Sequence, residues 1–309
     1  MSRATVVHID LPAISDNIAT LRTRLADQKF MAVLKADAYG HGAVRVAQHI
    51  ESDVDAIAVA FTKEAVILRE AGISKPLLVL EGPHSASDLA LISKLDLWPV
   101  VHCEEQVSWC QAASAGLSNV WVKIDTGMHR LGFPPEELAS IRESLQACGV
   151  QHLTAMSHLA SAEYPEASLT LSQQARWGEL VGVWDGQVSL HNSAATRFAL
   201  ASQSDWVRVG YALYGGQVSG LETEQPLKAA MQLTSEVIAV RNVPRGESVG
   251  YDGRWTAQRD SVIATIPAGY GDGYPWGAND GTPVCVNGRI APLAGRVSMD
   301  MLTVDVTDC

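Results

Sequence analysis

The chain has 309 residues, 47% of them apolar and 18% charged, a composition that excludes fibrous and low-complexity proteins. Its 23 Lys and Arg against 34 Asp and Glu give a formal charge of −11, a field that repels nucleic-acid backbones and anionic membranes. No apolar run approaches the roughly 20 residues that cross a bilayer, and the N-terminus MSRATVVHID lacks a secretory layout, so a cytoplasmic protein is expected.

Eight short apolar runs alternate with amphipathic stretches up to about residue 225. They are MAVLK (31–35), AIAVA (56–60), LLVLE (77–81), WPVVH (98–102), VWVKI (120–124), HLTAMS (152–157), QVSLH (187–191) and DWVRVG (205–210). Their brevity and near-uniform apolarity predict parallel strands buried on both faces. Between them, Ile14, Ile18, Leu21 and Leu25 recur at helical spacing after Asp10 and Pro12. Leu138, Ile141, Leu145 and Cys148 do the same between Pro134-Pro135 and Gly149. Eight strand–helix units predict an α/β fold, a (β/α)8 barrel. An open doubly wound sheet is the alternative, but no G-x-G-x-x-G follows the first strand.

Beyond residue 225 the pattern changes to closely spaced β-branched segments: SEVIAVRNV (235–243), SVIATIP (261–267), TPVCVNG (282–288) and MLTVDV (301–306). Asn287-Gly288 is a hairpin signal. The division expected is a barrel over 1–225 and an antiparallel β domain over 226–309, with a first strand near 3–10 free to pair with the β domain. Cys103, Cys110, Cys148, Cys285 and Cys309 form no C-x-x-C pair, and the nine His show no H-x-x-x-H spacing, so nothing points to a metal.

In a barrel, chemistry sits on the loops that follow the strands. Those ends carry Lys35, Lys63-Glu64, Glu81, His102, Lys123, His158, Asn192-Ser193, and Arg208 with Gly210-Tyr211. Lys35 closes an apolar run. Burial disfavours an ammonium, and the neutral amine is the form that makes Schiff bases. The competing reading is a lysine whose head reaches water at the barrel mouth. Lys123 has Asp125 and Arg130 as neighbours, which also fits a structural ion pair. His41, His102 and His191 read as structural, Glu64 and Glu81 as loop caps, and the eight Trp as packing.

Eight blocks in order resemble the alanine racemase family: KADAYGHG (35–42), KIDTGMHRLG (123–132), MSHLA (156–160), HNSAA (191–195), GYALYG (210–215), VGYDG (249–253), GYGDGYP (269–275) and GRVSMDM (295–301). The resemblance covers essentially the whole chain. It implies a pyridoxal 5'-phosphate (PLP) enzyme with a barrel and a β domain, acting as a homodimer with shared sites that makes D-alanine for peptidoglycan. By position, Lys35 is the lysine that holds PLP covalently and Tyr251 the second base, supplied by the other subunit. Arg208 faces the pyridine nitrogen, and His158 bonds Arg208 and Tyr251, a positive pair that would draw the tyrosine proton away. Tyr39, Ser193, Gly210 and Tyr211 fall at phosphate-side positions. Arg130 lies by the cofactor's phenolic oxygen and the substrate carboxylate. Lys123 matches a lysine that family members carry as a carbamate. Tyr270, Met299 and Asp300 match residues that the partner contributes to the substrate site.

Two departures accompany the match. Asp252 stands where glycine is expected. Family chains also run several tens of residues beyond the position of Cys309 and direct a tyrosine from that segment to the PLP phosphate. The β domain is therefore expected to be incomplete at its C-terminus, and the chain to bind PLP but to be less dimeric and less active. The rival readings are a non-catalytic PLP-binding barrel, which lacks the VGYDG and GRVSMDM blocks, a racemase of another small amino acid such as serine, and a decarboxylase on the same kind of barrel.

Overall fold

The computed structural model describes residues 4–113, 116–218 and 226–309. These form two compact units: Ile9–Ala230, and Met231–Cys309 together with the N-terminal segment through His8.

Strand β1 (Val6–Ile9) pairs with β10 (Met231–Thr234) of the second unit. All eight apolar runs of the larger unit become strands: β2 (Lys29–Val33), β3 (Ala56–Val59), β4 (Leu77–Val79), β5 (Leu97–Val101), β6 (Asn119–Lys123), β7 (His152–Met156), β8 (Gln187–Ser189) and β9 (Trp206–Val209). They pair in parallel in the order β8-β7-β6-β5-β4-β3-β2-β9. The two end strands are stitched together without a regular ladder. Asp205 N donates to Val188 O and Arg208 N to His191 O, both at 2.9 Å. Asp205 Oδ2 accepts from Val188 N at 2.8 Å in place of a main-chain carbonyl. The sheet is thereby all but closed into a barrel.

Uniform apolarity has a simple cause here: alternate residues of each strand face two different cores. Met31, Ala56, Ala58, Leu78, Val100, Trp121, Met156 and Trp206 fill the barrel interior. Phe30, Ala32, Ile57, Leu77, Val79, Val120, Val122 and Val207 pack against the surrounding helices. Trp98, Trp121 and Trp206 form a triad in the interior, with ring centroids 5.8–6.4 Å apart.

The first helix, Leu11–Arg22, starts where the Asp10 carboxylate accepts from Ala13 N at 3.0 Å, and it buries Ile14, Ile18 and Leu21. It stops a turn earlier than the periodicity of Leu25 predicts. The Arg22 guanidinium is anchored on Asp53 O and Asp55, and the chain turns away after it. The helix Leu138–Ala147 follows the prediction, with Cys148 at its end and Gly149 at φ 85°.

In the second unit β11 (Ala239–Val243), β14 (Ser261–Ile266) and β17 (Leu302–Asp305) make an antiparallel sheet over Ile266, Leu293, Val297 and Val304. Two short antiparallel pairs accompany it: β12 (Ser248–Val249) with β13 (Trp255–Thr256), and β15 (Pro283–Val286) with β16 (Arg289–Pro292). Asn287 and Gly288 join β15 to β16 with φ 49° and 82°, the positive pair that a two-residue hairpin demands. Among the described residues, no helix is long and apolar enough to cross a membrane.

Candidate active site

A cavity of about 580 Å³ opens in the barrel unit. Lys35, Tyr39, Lys123, Arg130, His158, Ser193, Arg208, Gly210 and Tyr211 all line it, which brings together every barrel residue singled out by the family blocks. Four basic side chains, Lys35, Lys123, Arg130 and Arg208, face it against the carboxylates Glu81 and Glu163. In a chain of net charge −11 this is a local reversal of sign, suited to a small anion. Tyr251, Tyr270, Met299 and Asp300 belong to the second unit, where all four are exposed.

Lys35 follows the end of β2 by two residues and is half-buried, between its two sequence readings. The next four residues, Ala36, Asp37, Ala38 and Tyr39, all have φ between 52° and 55°. None is glycine, and a left-handed conformation costs an L residue about 1–2 kcal/mol. Three side chains hold this turn. Glu64 accepts from Ala36 N and from Ala60 N, both at 2.7 Å. Asp37 Oδ1 accepts from Ala43 N at 2.7 Å. His41 Nδ1 donates to Ala38 O and Tyr39 O, both at 3.0 Å, while its ring stacks 4.4 Å from that of Tyr214. The Tyr214 hydroxyl donates in turn to Val33 O at 3.0 Å. Burial raises the Tyr39 and Tyr214 phenols above their ordinary range, so both keep their protons.

Arg208 is only 4% exposed. It donates to Ser189 Oγ (2.5 Å), Ser157 O (2.6 Å) and His158 Nδ1 (3.4 Å), none of them a carboxylate. Burial lowers it to about 10, so it remains a cation at neutral pH. His158 is driven well below its ordinary value by burial first, then by Arg208, Lys123, Arg130 and Lys35. This corrects the expected positive His158–Arg208 pair. The imidazole is neutral and accepts through Nδ1, and only the arginine carries charge. Ser193 Oγ accepts from Gly210 N and Ala212 N at 3.2 Å each. A Cβ on Gly210 would lie 2.5 Å from Tyr39 Oη, so the glycine lets the phenol close over it.

Lys123, the last residue of β6, is 7% exposed. Burial first, then Arg208 and Arg130, lowers it to about 7, with Asp125 opposing. The ion-pair reading does not hold, because the Asp125 carboxylate is turned into its own loop. It accepts from Gly127 N (2.9 Å), His129 N (3.0 Å) and His129 Nδ1 (2.9 Å).

The remaining histidines have structural bonds. His102 Nε2 meets Glu81 O at 3.1 Å, and His191 Nε2 meets Ser202 Oγ at 3.0 Å. Glu81, expected only to cap a loop, lines the cavity. Sequence reasoning passed over Ser157 and Ser189, the acceptors of Arg208. Ser157 lies inside the MSHLA block, so a signal for it was present. Asp252 has φ 60°, a conformation that favours glycine and that Asp tolerates, and its carboxylate meets Arg296 Nη1 at 3.0 Å.

Two family models match end to end: "Alanine racemase, N-terminal domain" over residues 9–218 and "Alanine racemase, C-terminal domain" over 230–309. The chain is 44% identical over 299 residues to the alanine racemase of Shewanella loihica, covering 95% of this chain and 83% of that one. Among solved structures it matches the biosynthetic alanine racemase from Pseudomonas aeruginosa with a TM-score of 0.95 and 42% identity, covering 99% of this chain and 87% of that one. Alanine racemase from Bartonella henselae with covalently bound pyridoxal phosphate matches with a TM-score of 0.84 and 29% identity, covering 99% and 86%. With both domain models matched in order and the cavity built from the family's own blocks, the chain belongs to the alanine racemase family.

Proposed function

We propose that the chain interconverts L- and D-alanine with pyridoxal 5'-phosphate as cofactor, supplying D-alanine for peptidoglycan. The observation that carries this reading is the cation-lined cavity around Lys35. The donor set fits the cofactor. Arg208 is a buried guanidinium with no carboxylate partner among the described residues, Lys35 is a half-buried amine at the cavity wall, and Gly210 admits close approach of main chain. When bound, PLP supplies the electron sink that drains the bond left behind when the α-proton departs.

The protein's own residues divide the remaining work. Lys35 would hold the cofactor and move the proton on one face of the α-carbon. Tyr251 of a second copy moves it on the other, since one base would have to cross the substrate plane. Tyr251 is 67% exposed, as a side chain offered to a partner would be. Arg208, a permanent donor, would hold the cofactor's ring nitrogen and favour its unprotonated form. Tyr39 and Ser193, with the main chain at Gly210 and Tyr211, would hold the phosphate. Arg130 takes the substrate carboxylate with Tyr270, Met299 and Asp300 of the second copy. Lys123, near half neutral at pH 7, is the amine form that reacts with carbon dioxide, and its carbamate would steady Arg130. Alanine is preferred to serine as substrate, and the acting form is a homodimer.

Borohydride reduction of the PLP-loaded protein should fix the cofactor on the Lys35 peptide, and a coupled assay should form D-alanine from L-alanine faster than D-serine from L-serine. Mixing inactive Lys35→Ala and Tyr251→Phe chains should restore roughly a quarter of parental activity, because half the dimers then hold one intact site. Cofactor fixed elsewhere, or no rescue on mixing, counts against the reading.

A further inference from the structure

We propose that Glu64 is a positioning residue for racemisation, whose two carboxylate oxygens hold the turn that presents Lys35 and Tyr39. The proposal rests on the reading of Lys35 as the cofactor-bearing lysine. Four consecutive non-glycine residues in the left-handed region are costly, and the bonds made by Asp37 and His41 brace only the later part of the turn, so its start after Lys35 is held from outside.

The geometry shows where it comes from. The β2–β3 ladder continues as far as Leu34 N, which donates to Ala58 O at 2.8 Å. In a continued parallel ladder, the next amide in line, Ala36 N, would seek Ala60 O. That carbonyl is already taken by Glu81 N at 2.9 Å. Glu64 supplies the missing acceptor. Oε1 accepts from Ala36 N and Oε2 from Ala60 N, each at 2.7 Å, so one carboxylate sits between the two departing strands. The Ala36 amide belongs to the peptide group directly after Lys35. Fixing that peptide plane fixes the main-chain torsion that aims the lysine side chain.

A carboxylate serving only its own helix, Thr62–Glu70, needs no more than the bond to Ala60 N. The second oxygen reaches across to the strand that carries the lysine. At the far end of the turn, His41 Nδ1 does the complementary work on the carbonyls of Ala38 and Tyr39. Glu64 is absent from the cavity lining, so its influence runs through the turn.

The test uses Glu64→Ala and the near-isosteric Glu64→Gln, whose amide can serve one N–H and repels the other. In Glu64→Ala, kcat for alanine is expected to fall about ten- to a hundredfold, with KM moving far less. Bound PLP should dissociate faster. In the cofactor-free protein, hydrogen exchange at Ala36 and Ala60 should quicken more than about tenfold, while the barrel strands keep their protection. Glu64→Gln should fall between parent and Glu64→Ala in each reading. The proposal is overturned if both variants keep kcat, PLP release and Ala36 exchange within about twofold of the parent. It is also overturned if thermal stability drops while kcat per folded molecule does not. Should Glu64→Ala fail to fold, the same readings on Glu64→Gln decide. Lys35→Ala serves as the control. It should lose covalent cofactor yet keep Ala36 protected, and covalent cofactor surviving there would refute the lysine reading rather than the clamp.

Discussion

Lys35 lies two residues beyond β2 and is half-buried, whereas Lys123 is the last residue of β6 and is only 7% exposed. Both close a short apolar run. The difference lies in what surrounds each one. Past Lys35 the main chain departs from the ladder through a left-handed turn held by Glu64, Asp37 and His41. Past Lys123 the strand is still in register with β7, and the side chain stays inside with Arg208 and Arg130 for company. Strain, held by neighbours, delivers the first lysine to the cavity. Desolvation and like charge reshape the second where it stands.

The comparison breaks hardest at Lys35. Lys35→Ala should abolish covalent PLP and all measurable racemisation, since the other lysine of the cavity is locked into β6. Borohydride reduction followed by peptide mapping checks this. Cofactor trapped on Lys123 in the variant would mean that the two lysines are interchangeable.

A smaller loss is expected at Lys123. Lys123→Ala should lower kcat about tenfold, and small carboxylates such as acetate should restore part of it by taking a carbamate's place beside Arg130. Activity that ignores acetate, together with no added mass on Lys123 in bicarbonate, would leave the lysine with only a packing role.

Much of this was legible in the residues. The eight barrel strands showed as eight apolar runs because each strand is buried on both faces, a pattern no half-exposed strand reproduces. The Asn287-Gly288 hairpin was legible because few residue pairs accept two positive φ values. The left-handed turn was not. Ala36, Ala38 and Tyr39 carry no sign of positive φ, and the acceptor for Ala36 N is Glu64, 28 residues further along the chain. The partner of Asp125 was equally hidden. Adjacent charges in sequence suggested an ion pair with Lys123, but two loop amides and the His129 ring reach the carboxylate instead. The neutrality of His158 was hidden too, because it comes first from burial and then from Arg208, Lys123, Arg130 and Lys35, which the fold gathers from distant segments.

Burial of Lys123 also makes a pH-dependent prediction for stability. Its value is about 7 in the folded chain, against an ordinary 10.5 when exposed. Below about 7 both states hold the proton, and the folded state bears the full penalty of a desolvated ammonium. As pH rises from 7 towards 10.5, the folded amine is already neutral and the penalty fades. Lys123→Met should therefore raise Tm relative to the parent most at pH 6 and least near pH 10, measured without bicarbonate. A Tm difference that is flat with pH would show that Lys123 is not desolvated.

The smallest effect belongs to Asp125, which opposes the two arginines in setting the charge of Lys123. Asp125→Asn keeps an oxygen for the amides of Gly127 and His129, so the loop is expected to hold. The negative charge is lost, however, and the cationic form of Lys123 loses its one favourable neighbour while burial, Arg208 and Arg130 act unchanged. The midpoint at which Lys123 becomes reactive towards an amine-directed acylating label, followed by peptide mass against pH, should move down by a fraction of a pH unit. Lys35 serves as the internal reference in the same digest, because its surroundings contain no part of the Asp125 loop among their hydrogen bonds. Equal movement of both lysines would mean that the substitution disturbs the whole cavity. An upward movement of Lys123 alone would mean that the Asp125 loop shields it from the arginines more than its charge attracts the proton.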